Sequence, residues 1–477
     1  MKIDILKYIP VNGISAVVSV LTIVIFTRLF SAEDFGLYAL TIISAGFFHM
    51  AAFSWLEAAT ARFHARADNE NNLDDFYRTL YGAAIPIVII AILITGLCLS
   101  LFFQSSRLAP LLALAFLNTA LLCLYQIRLE AYQASQRIKA YSLNKSLISV
   151  MTLLASVGLF FATNLGVLSP FAGALVVTLI FLGFQASFFI CVFKRGKFQM
   201  AWLKHYLAYG VPLAISLLLS YLLEVGDLYY IDYFLDKAAV GSYNAGYSLA
   251  SRPIDLIVTW CAMAIMPIAV ITYEKAKSED TQLFLKNFLS TLMALSLPAT
   301  LGVCLVSRDL SFVLGENVRV EAETVMPIIA ISALLAGLFV YYFQQVYALI
   351  ERTKLFAALI LCPVIINLVA NFILIPKHGI TGAALGTLIA YGSALIVSYW
   401  FLRPFKIMSM PWQDIGMCFI ASLIMGIVVW CLPLGKLDPG ALTLIIKAIT
   451  GGAVYVTLAF LFNILNFRAY IKDRVNN

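Results

Sequence analysis

Residues 83–103 read AAIPIVIIAILITGLCLSLFF, with no charge anywhere in the stretch. Few environments accept such a run. A bilayer core about 30 Å thick is crossed by roughly 20 helical residues, and inside it every backbone polar group must find its partner within the chain. Runs of similar length recur along the sequence, 62% of the 477 residues are apolar and only 12% are charged. Closed barrels are written in short alternating strands, so the spans here are helical and the chain is an all-α integral membrane protein.

Fourteen transmembrane helices are predicted, at 12–30, 36–57, 79–103, 109–130, 143–163, 168–192, 207–231, 239–270, 286–306, 325–349, 356–375, 380–401, 414–433 and 441–464. The opening MKIDILKYIPVNG sets two lysines before an apolar stretch. No small-residue cleavage site follows Phe30 and a second span begins at once, so the first helix is expected to be retained. With the N-terminus inside, 23 of the 32 Lys and Arg residues fall in cytoplasmic segments and 7 in outer ones. Basic residues are held on the cytoplasmic side in short loops, so both termini are expected inside. The net charge of +7 is thereby explained by topology and calls for no nucleic-acid partner.

Eight cysteines sit singly in apolar segments with no C-x-x-C, as small core hydrophobes do. Four scattered histidines make no metal cluster, and His49, inside the second span, reads as a packing residue. No catalytic constellation is recognised, and no cofactor is expected.

RLFSAEDFGLYAL at 28–40 has a relative in YFLDKAAVGSYNA at 233–245, pairing Gly36 with Gly241 and Tyr38 with Tyr243 at an offset of 205. AYQASQRIKAY at 131–141 matches VYALIERTKLF at 346–356 at an offset of 215, and NLGVLSPFAGALV at 164–176 matches KHGITGAALGTLI at 377–389 at 213. Three matches in one order mean two homologous halves. The expected organisation is a six-helix lobe over 1–200, a second over 201–406, and two additional helices with a short cytoplasmic tail over 407–477. An even number of spans per half makes the copies enter the membrane the same way round, related by a pseudo-two-fold along its normal. Such a pair encloses a cleft that opens to either face by rocking, the plan of a transporter.

The repeated polar patch reads as a tight outer turn. Ser31 and Asp34 have capping-box spacing, Asp236 caps the second copy, and Gly36 and Gly241 admit close helix approach. A rival reading makes Glu33 and Asp34 the metal-binding acidic pair of a membrane glycosyltransferase, but no large outer domain exists to hold an acceptor.

An ionisable residue at the bilayer centre costs about 2.5–3.5 kcal/mol on insertion scales and normally faces a cavity or a partner. Glu224 and Asp227 in the seventh span, and Arg252 and Asp255 in the eighth, are each i, i+3 pairs on one helical face. Counting about 1.5 Å per residue from the outer turn sets Glu224 roughly 17 Å deep and Arg252 roughly 20 Å deep, so the two helices are expected to be tied through these charges. Pro253 is expected to kink the eighth span. Glu224, Asp227 and Asp255 are the candidates for ion coupling or gating by a proton or sodium, since a carboxylate in a cavity can alternate between ion-bound and salt-bridged states. YYFQQVY at 341–347 and YQIRLEAY at 125–132 read as an interfacial aromatic belt, with sugar contact as the alternative. Glu57 is expected at the headgroups. Lys447 is read as paired or snorkelled, without a role, and the outer segment SRDLSFVLGENVRVEAE at 307–323 as a solvated connection.

Together, RLFSAEDFGLYAL with its half-match, AYQASQRIKAY after the fourth span, and the two-lobed plan resemble the polysaccharide transporter, or Wzx-type flippase, branch of the MOP superfamily, over essentially the whole chain. The resemblance implies an alternating-access flippase, not an enzyme, moving an oligosaccharide on polyprenyl pyrophosphate from inner to outer leaflet for O-antigen, capsule or exopolysaccharide. It implies a bacterial cytoplasmic (inner) membrane, and as partners membrane lipids, a polysaccharide polymerase and chain-length machinery. Related peptidoglycan-precursor flippases are thought to use cavity arginines on their first and eighth spans, which selects Arg28 and Arg252 as pyrophosphate ligands, a task suited to the guanidinium fork. Interfacial snorkelling of Arg28 and a helix-tying role for Arg252 stand as alternatives. A MATE-like ion-coupled drug or metabolite exporter shares the plan. A membrane polymerase, ligase or acyltransferase would need a catalytic constellation on an outer loop, and 307–323 has no His.

Overall fold

The computed structural model describes residues 9–102, 106–275, 278–405, 407–432 and 440–466. Several basic residues used for orientation (Lys2, Lys7, Lys277, Lys406, Lys436, Arg468, Lys472 and Arg474) lie outside these. Every regular element among the described residues is helical, and eleven helices are long and apolar enough to cross a membrane. Their outer faces carry large apolar side chains, with Leu93 67% exposed, Phe184 80% and Trp430 79%. Exposure on this scale is stable only against lipid. The protein is a multi-pass membrane protein.

The chain divides into two compact units, Met1–Thr22 with Glu33–Val225, and Ile23–Ala32 with Gly226–Asn477. Helix α1 (Ile9–Leu29) contributes to both. The first unit continues with α2 (Ala32–Ala52), α3 (Ser54–Asn69), α4 (Leu73–Phe102), α5 (Leu108–Ala134), α6 (Ile138–Ala162), α7 (Ser169–Phe184), α8 (Ala186–Arg195) and α9 (Met200–Val225). Its core gathers α3, α4, α5 and α9 around Phe53, Leu56, Phe76, Tyr81, Ile127 and Tyr206. Gly210 of α9 lies against the Trp55 backbone, where a Cβ would stand 2.7 Å from the carbonyl oxygen. Close approach of this kind needs a glycine. The connection from α8 to α9 is pinned to α4, because Asp75 accepts from the Lys197 amide and from Gln199 Nε2, both at 2.8 Å.

The second unit holds α10 (Asp227–Phe234), α11 (Lys237–Lys275), α12 (Ser278–Ser311), α13 (Glu316–Leu338), α14 (Gln344–Leu349), α15 (Thr353–Leu402), α16 (Trp412–Trp430) and α17 (Ala441–Leu461). A π-helical turn, Phe339–Phe343, joins α13 to α14. The long α15 covers the two expected spans 356–375 and 380–401, folded at Gly379 with φ 59°. The seventh expected span is interrupted at Gly226 and becomes α9 and α10. Helix α11 runs without interruption through Pro253.

Repeat signatures found in the sequence are also repeated in the backbone. Arg137 N–H donates to the Tyr132 carbonyl and Arg352 N–H to the Tyr347 carbonyl, both at 2.8 Å, around Gln136 and Glu351, which both take φ 57°. Each is a helix end closed by a left-handed residue and a six-to-one hydrogen bond. Gly166 and Gly379 share the left-handed conformation at φ 52° and 59°.

Asp236 caps α11 through the Ala239 amide at 2.8 Å. In the first unit Glu33 and Asp34 receive the Arg107 guanidinium, Glu33 at 3.1 Å. The segment 307–323 is no solvated connection: α12 reaches Ser311, α13 starts at Glu316, and Asp309 is only 3% exposed. Its partner is Lys447 at 2.5 Å, with Thr443 donating to the other oxygen at 2.7 Å, which ties α17 to α12. Lys447 thus has a structural role. Glu57 meets His49 Nε2 at 3.3 Å within the first unit.

Candidate functional site

Asp227 occupies the first position of α10, immediately after the break at Gly226, and is 1% exposed. Tyr243 of α11 donates its hydroxyl to Oδ2, and Thr387 of α15 donates to the same oxygen at 3.3 Å while also reaching the Ala383 carbonyl at 3.2 Å. Three helices therefore meet on one carboxylate. Its Oδ1 has no hydrogen-bond partner, and no Lys or Arg pairs with it among the described residues.

On the other half of α15, before the fold at Gly379, Asn371 is fully buried and donates to Asn367 Oδ1 at 3.0 Å, leaving its own Oδ1 unsatisfied. Gly386 brings the returning half of α15 against that oxygen, and Thr387 is the next residue. The Asp227 carboxyl and the Asn371 amide are thus both buried in the second unit, each with one oxygen left without a hydrogen bond. A buried unpaired charge costs several kcal/mol, and a buried unsatisfied polar atom about 1–3 kcal/mol, so such an arrangement persists where it serves something. Carboxylate, hydroxyl, amide and main-chain oxygens are the ligand set of a hard cation, and a proton on the carboxylate would equally remove the charge.

The other predicted residues have separate settings. Asp255 accepts a hydrogen bond from Ser251 and is within electrostatic reach of Arg252, one helical turn back on α11. Arg252 itself is exposed. Arg28, in the last turn of α1, gives its Nε to the Val313 carbonyl at 3.1 Å, while the neighbouring Thr27 hydroxyl accepts from the Gly315 amide at 3.2 Å. Gly315 fits there because any side chain would strike the Thr27 carbonyl. Glu224 is exposed at the end of α9 and belongs to the first unit, so the helix break separates it from the buried Asp227. The expected shared face of that i, i+3 pair is interrupted.

Sequence reasoning singled out Asp227 and missed Tyr243, Thr387, Asn367 and Asn371 as its surroundings. The missed signal was present in INLVANFIL, where two amides lie four residues apart in an otherwise apolar span.

The inward closed form of the lipid II flippase MurJ superposes with a TM-score of 0.74 at 18% identity, over 96% of this chain and 99% of that one. An inward-facing MATE multidrug transporter of the MOP superfamily gives 0.62 at 13% identity, over 82% and 94%. At these identities the likeness concerns the fold. The family model described as polysaccharide biosynthesis protein matches residues 25–319, and the chain belongs to that family. A curated relative, the "Probable low-salt glycan biosynthesis flippase Agl15" of Haloferax volcanii, is 25% identical over 278 residues. The match spans 58% of this chain and 58% of that relative's length.

Proposed function

We propose that this protein is a flippase that carries a polyprenyl-pyrophosphate-linked oligosaccharide from the inner to the outer leaflet of a bacterial cytoplasmic membrane by alternating access, for a surface polysaccharide such as O-antigen, capsule or exopolysaccharide. Family membership, the glycan flippase relative and the flippase fold support the cargo class. The observation that carries the mechanism is Asp227 of α10, enclosed without a cationic side chain and hydrogen-bonded by hydroxyls from α11 and α15.

A sodium ion or proton taken up at Asp227 neutralises the carboxylate and lets the three helices close over it. Its loss leaves a bare charge, which favours a packing in which water reaches the carboxylate. The ion therefore biases one arrangement of the second unit over the other, which is all a coupling ion needs to do. Arg28 and Arg252 are assigned to the pyrophosphate, because both are exposed and a guanidinium fork pairs two phosphate oxygens. The hydrogen bond from Arg28 Nε to Val313 fixes the direction of its fork. Glu224 and Asp255, the latter beside Arg252, are assigned to gating.

The test is purified protein in liposomes, offered a lipid-linked oligosaccharide and, separately, a small cationic drug. The oligosaccharide is expected to cross, faster under an imposed sodium or proton gradient, and Arg252→Ala at normal protein level is expected to slow it. Drug movement with no oligosaccharide movement would replace this reading by the exporter one.

A further inference from the structure

At the end of the first unit expected to face the cytoplasm, a cavity of about 260 Å³ opens between the last two turns of α3 and the first two turns of α9. Phe63 and Arg66 line it from α3, Glu70 from the residue that closes that helix, and Trp202, His205 and Tyr206 from α9. Both sets repeat at helical spacing, so each helix presents one face to the same space. Phe63 stacks on Tyr206 with ring centroids 5.1 Å apart and 28° between planes, and also touches His205 at 5.0 Å. Tyr206 is backed in turn by Phe76 at 5.8 Å, which joins this wall to the core of the unit. At the rim, Arg66 Nε meets Glu70 Oε1 at 2.8 Å with both side chains open to solvent.

These features select a ligand class. The volume lies below the roughly 300–1,000 Å³ of pockets that take drug-sized molecules, which suits a single small ring. Fixed aromatic faces favour a flat apolar surface. The rim adds donors from Arg66 and acceptors from Glu70 side by side with no net formal charge, which matches neighbouring hydroxyls, each both donor and acceptor, and gives a phosphate no preference. A pyranose ring has this combination, with C–H faces and a hydroxyl edge. Arg62, Arg66, Asp68 and Glu70 at this end of α3 are all exposed and charged, which sets the cavity where the unit meets water.

We infer that this cavity is a saccharide-binding subsite that receives one sugar ring of the cargo before translocation, an assignment that rests on the flippase reading. The full-length protein in detergent is examined by saturation-transfer NMR with methyl glycosides of hexoses and N-acetylhexosamines, and with glycerol 1-phosphate as a lipid-headgroup probe. At least one glycoside is expected to bind in the millimolar range, and Trp202→Leu and Glu70→Gln are each expected to weaken it about tenfold, as loss of a ring face or of one hydrogen-bonding group does. Glu70→Gln is isosteric and exposed, so it decides the matter where Trp202→Leu lowers the thermal midpoint. Absence of glycoside binding, binding that survives Glu70→Gln, or preference for glycerol phosphate overturns the subsite. Transport of lipid-linked oligosaccharide by the same preparation separates the two readings: transport without glycoside binding removes the subsite alone, and glycoside binding without transport removes the flippase assignment.

Discussion

In the first unit Thr22 gives its hydroxyl to the Val18 carbonyl of its own helix at 2.7 Å, whereas its counterpart 205 residues later, Asp227, gathers Tyr243 and Thr387 from other helices. The comparison extends around both positions. Tyr38 stands for Tyr243, Ala174 for Thr387, and Thr152 and Ser156 for Asn367 and Asn371. A glycine presses on the same place in each copy, Gly173 on Ser156 and Gly386 on Asn371. In the first copy Ser156 is satisfied by the Thr152 and Pro170 carbonyls at 2.6 and 3.2 Å. In the second, Asp227 Oδ1 and Asn371 Oδ1 are left over. One backbone plan thus supports a self-contained packing in one unit and an unfinished polar site in the other, so the proposed ion site has its residues only in the second.

The largest effect expected from this asymmetry is in transport. Asp227→Asn keeps the shape of the site and removes its charge, so gradient-driven flipping in proteoliposomes should fall to background, while Thr22→Val in the first unit should leave the rate near that of the unaltered protein. Full gradient-driven transport by Asp227→Asn would strip the asymmetry of functional meaning. The variant should also hold or raise the thermal midpoint, since an uncompensated buried charge has been removed.

A second buried acid in the same unit sharpens the contrast, because Asp309 has its own cation in Lys447 at 2.5 Å. Lys447→Met turns Asp309 into another unpaired carboxylate and should cost about 3–5 kcal/mol, read as a fall in the denaturation midpoint. Adding Asp309→Leu should recover most of it, as apolar pairs often replace buried ion pairs without loss. Failure of the double variant to recover would show that the pair does more than hold α17 to α12.

The smallest effect separates the two glycines. An alanine Cβ at Gly173 would stand 2.6 Å from the Ser156 backbone nitrogen, which cannot step aside, so Gly173→Ala should cost about 1–3 kcal/mol regardless of ions. At Gly386 the obstacle is the Asn371 side-chain amide. Gly386→Ala should therefore change the midpoint less; if the proposed ion site includes Asn371, sodium or acid should raise the midpoint of the unaltered protein and raise it less in this variant. Equal, ion-independent losses at both sites would mean that Asn371 takes no part in the ion site.

Much of this was readable before any tertiary contact was known. The duplicated motifs led to the paired left-handed residues Gln136 and Glu351 and to Gly166 and Gly379, because a backbone that must turn in a fixed way leaves a local trace. Asp227 stood out because a carboxylate inside an apolar span is costly wherever it points. Asn367, Asn371 and Thr387 did not, since amides and hydroxyls are tolerated in spans for many reasons. The partners of Glu57 and Lys447 were not legible for a related reason: His49 and Asp309 lie on other helices.

By itself the sequence determined that the chain lies in a membrane as apolar helices and that its plan is duplicated. Those properties follow from run length against a fixed bilayer thickness and from the need to pair backbone groups locally, both of which act within about twenty residues. Only the tertiary structure decided what surrounds the acids. Thr387 reaches Asp227 across 160 positions and Lys447 reaches Asp309 across 138. Whether a buried charge meets a counterion or only neutral oxygens depends on which distant helix face is packed against it, and no local periodicity encodes that choice.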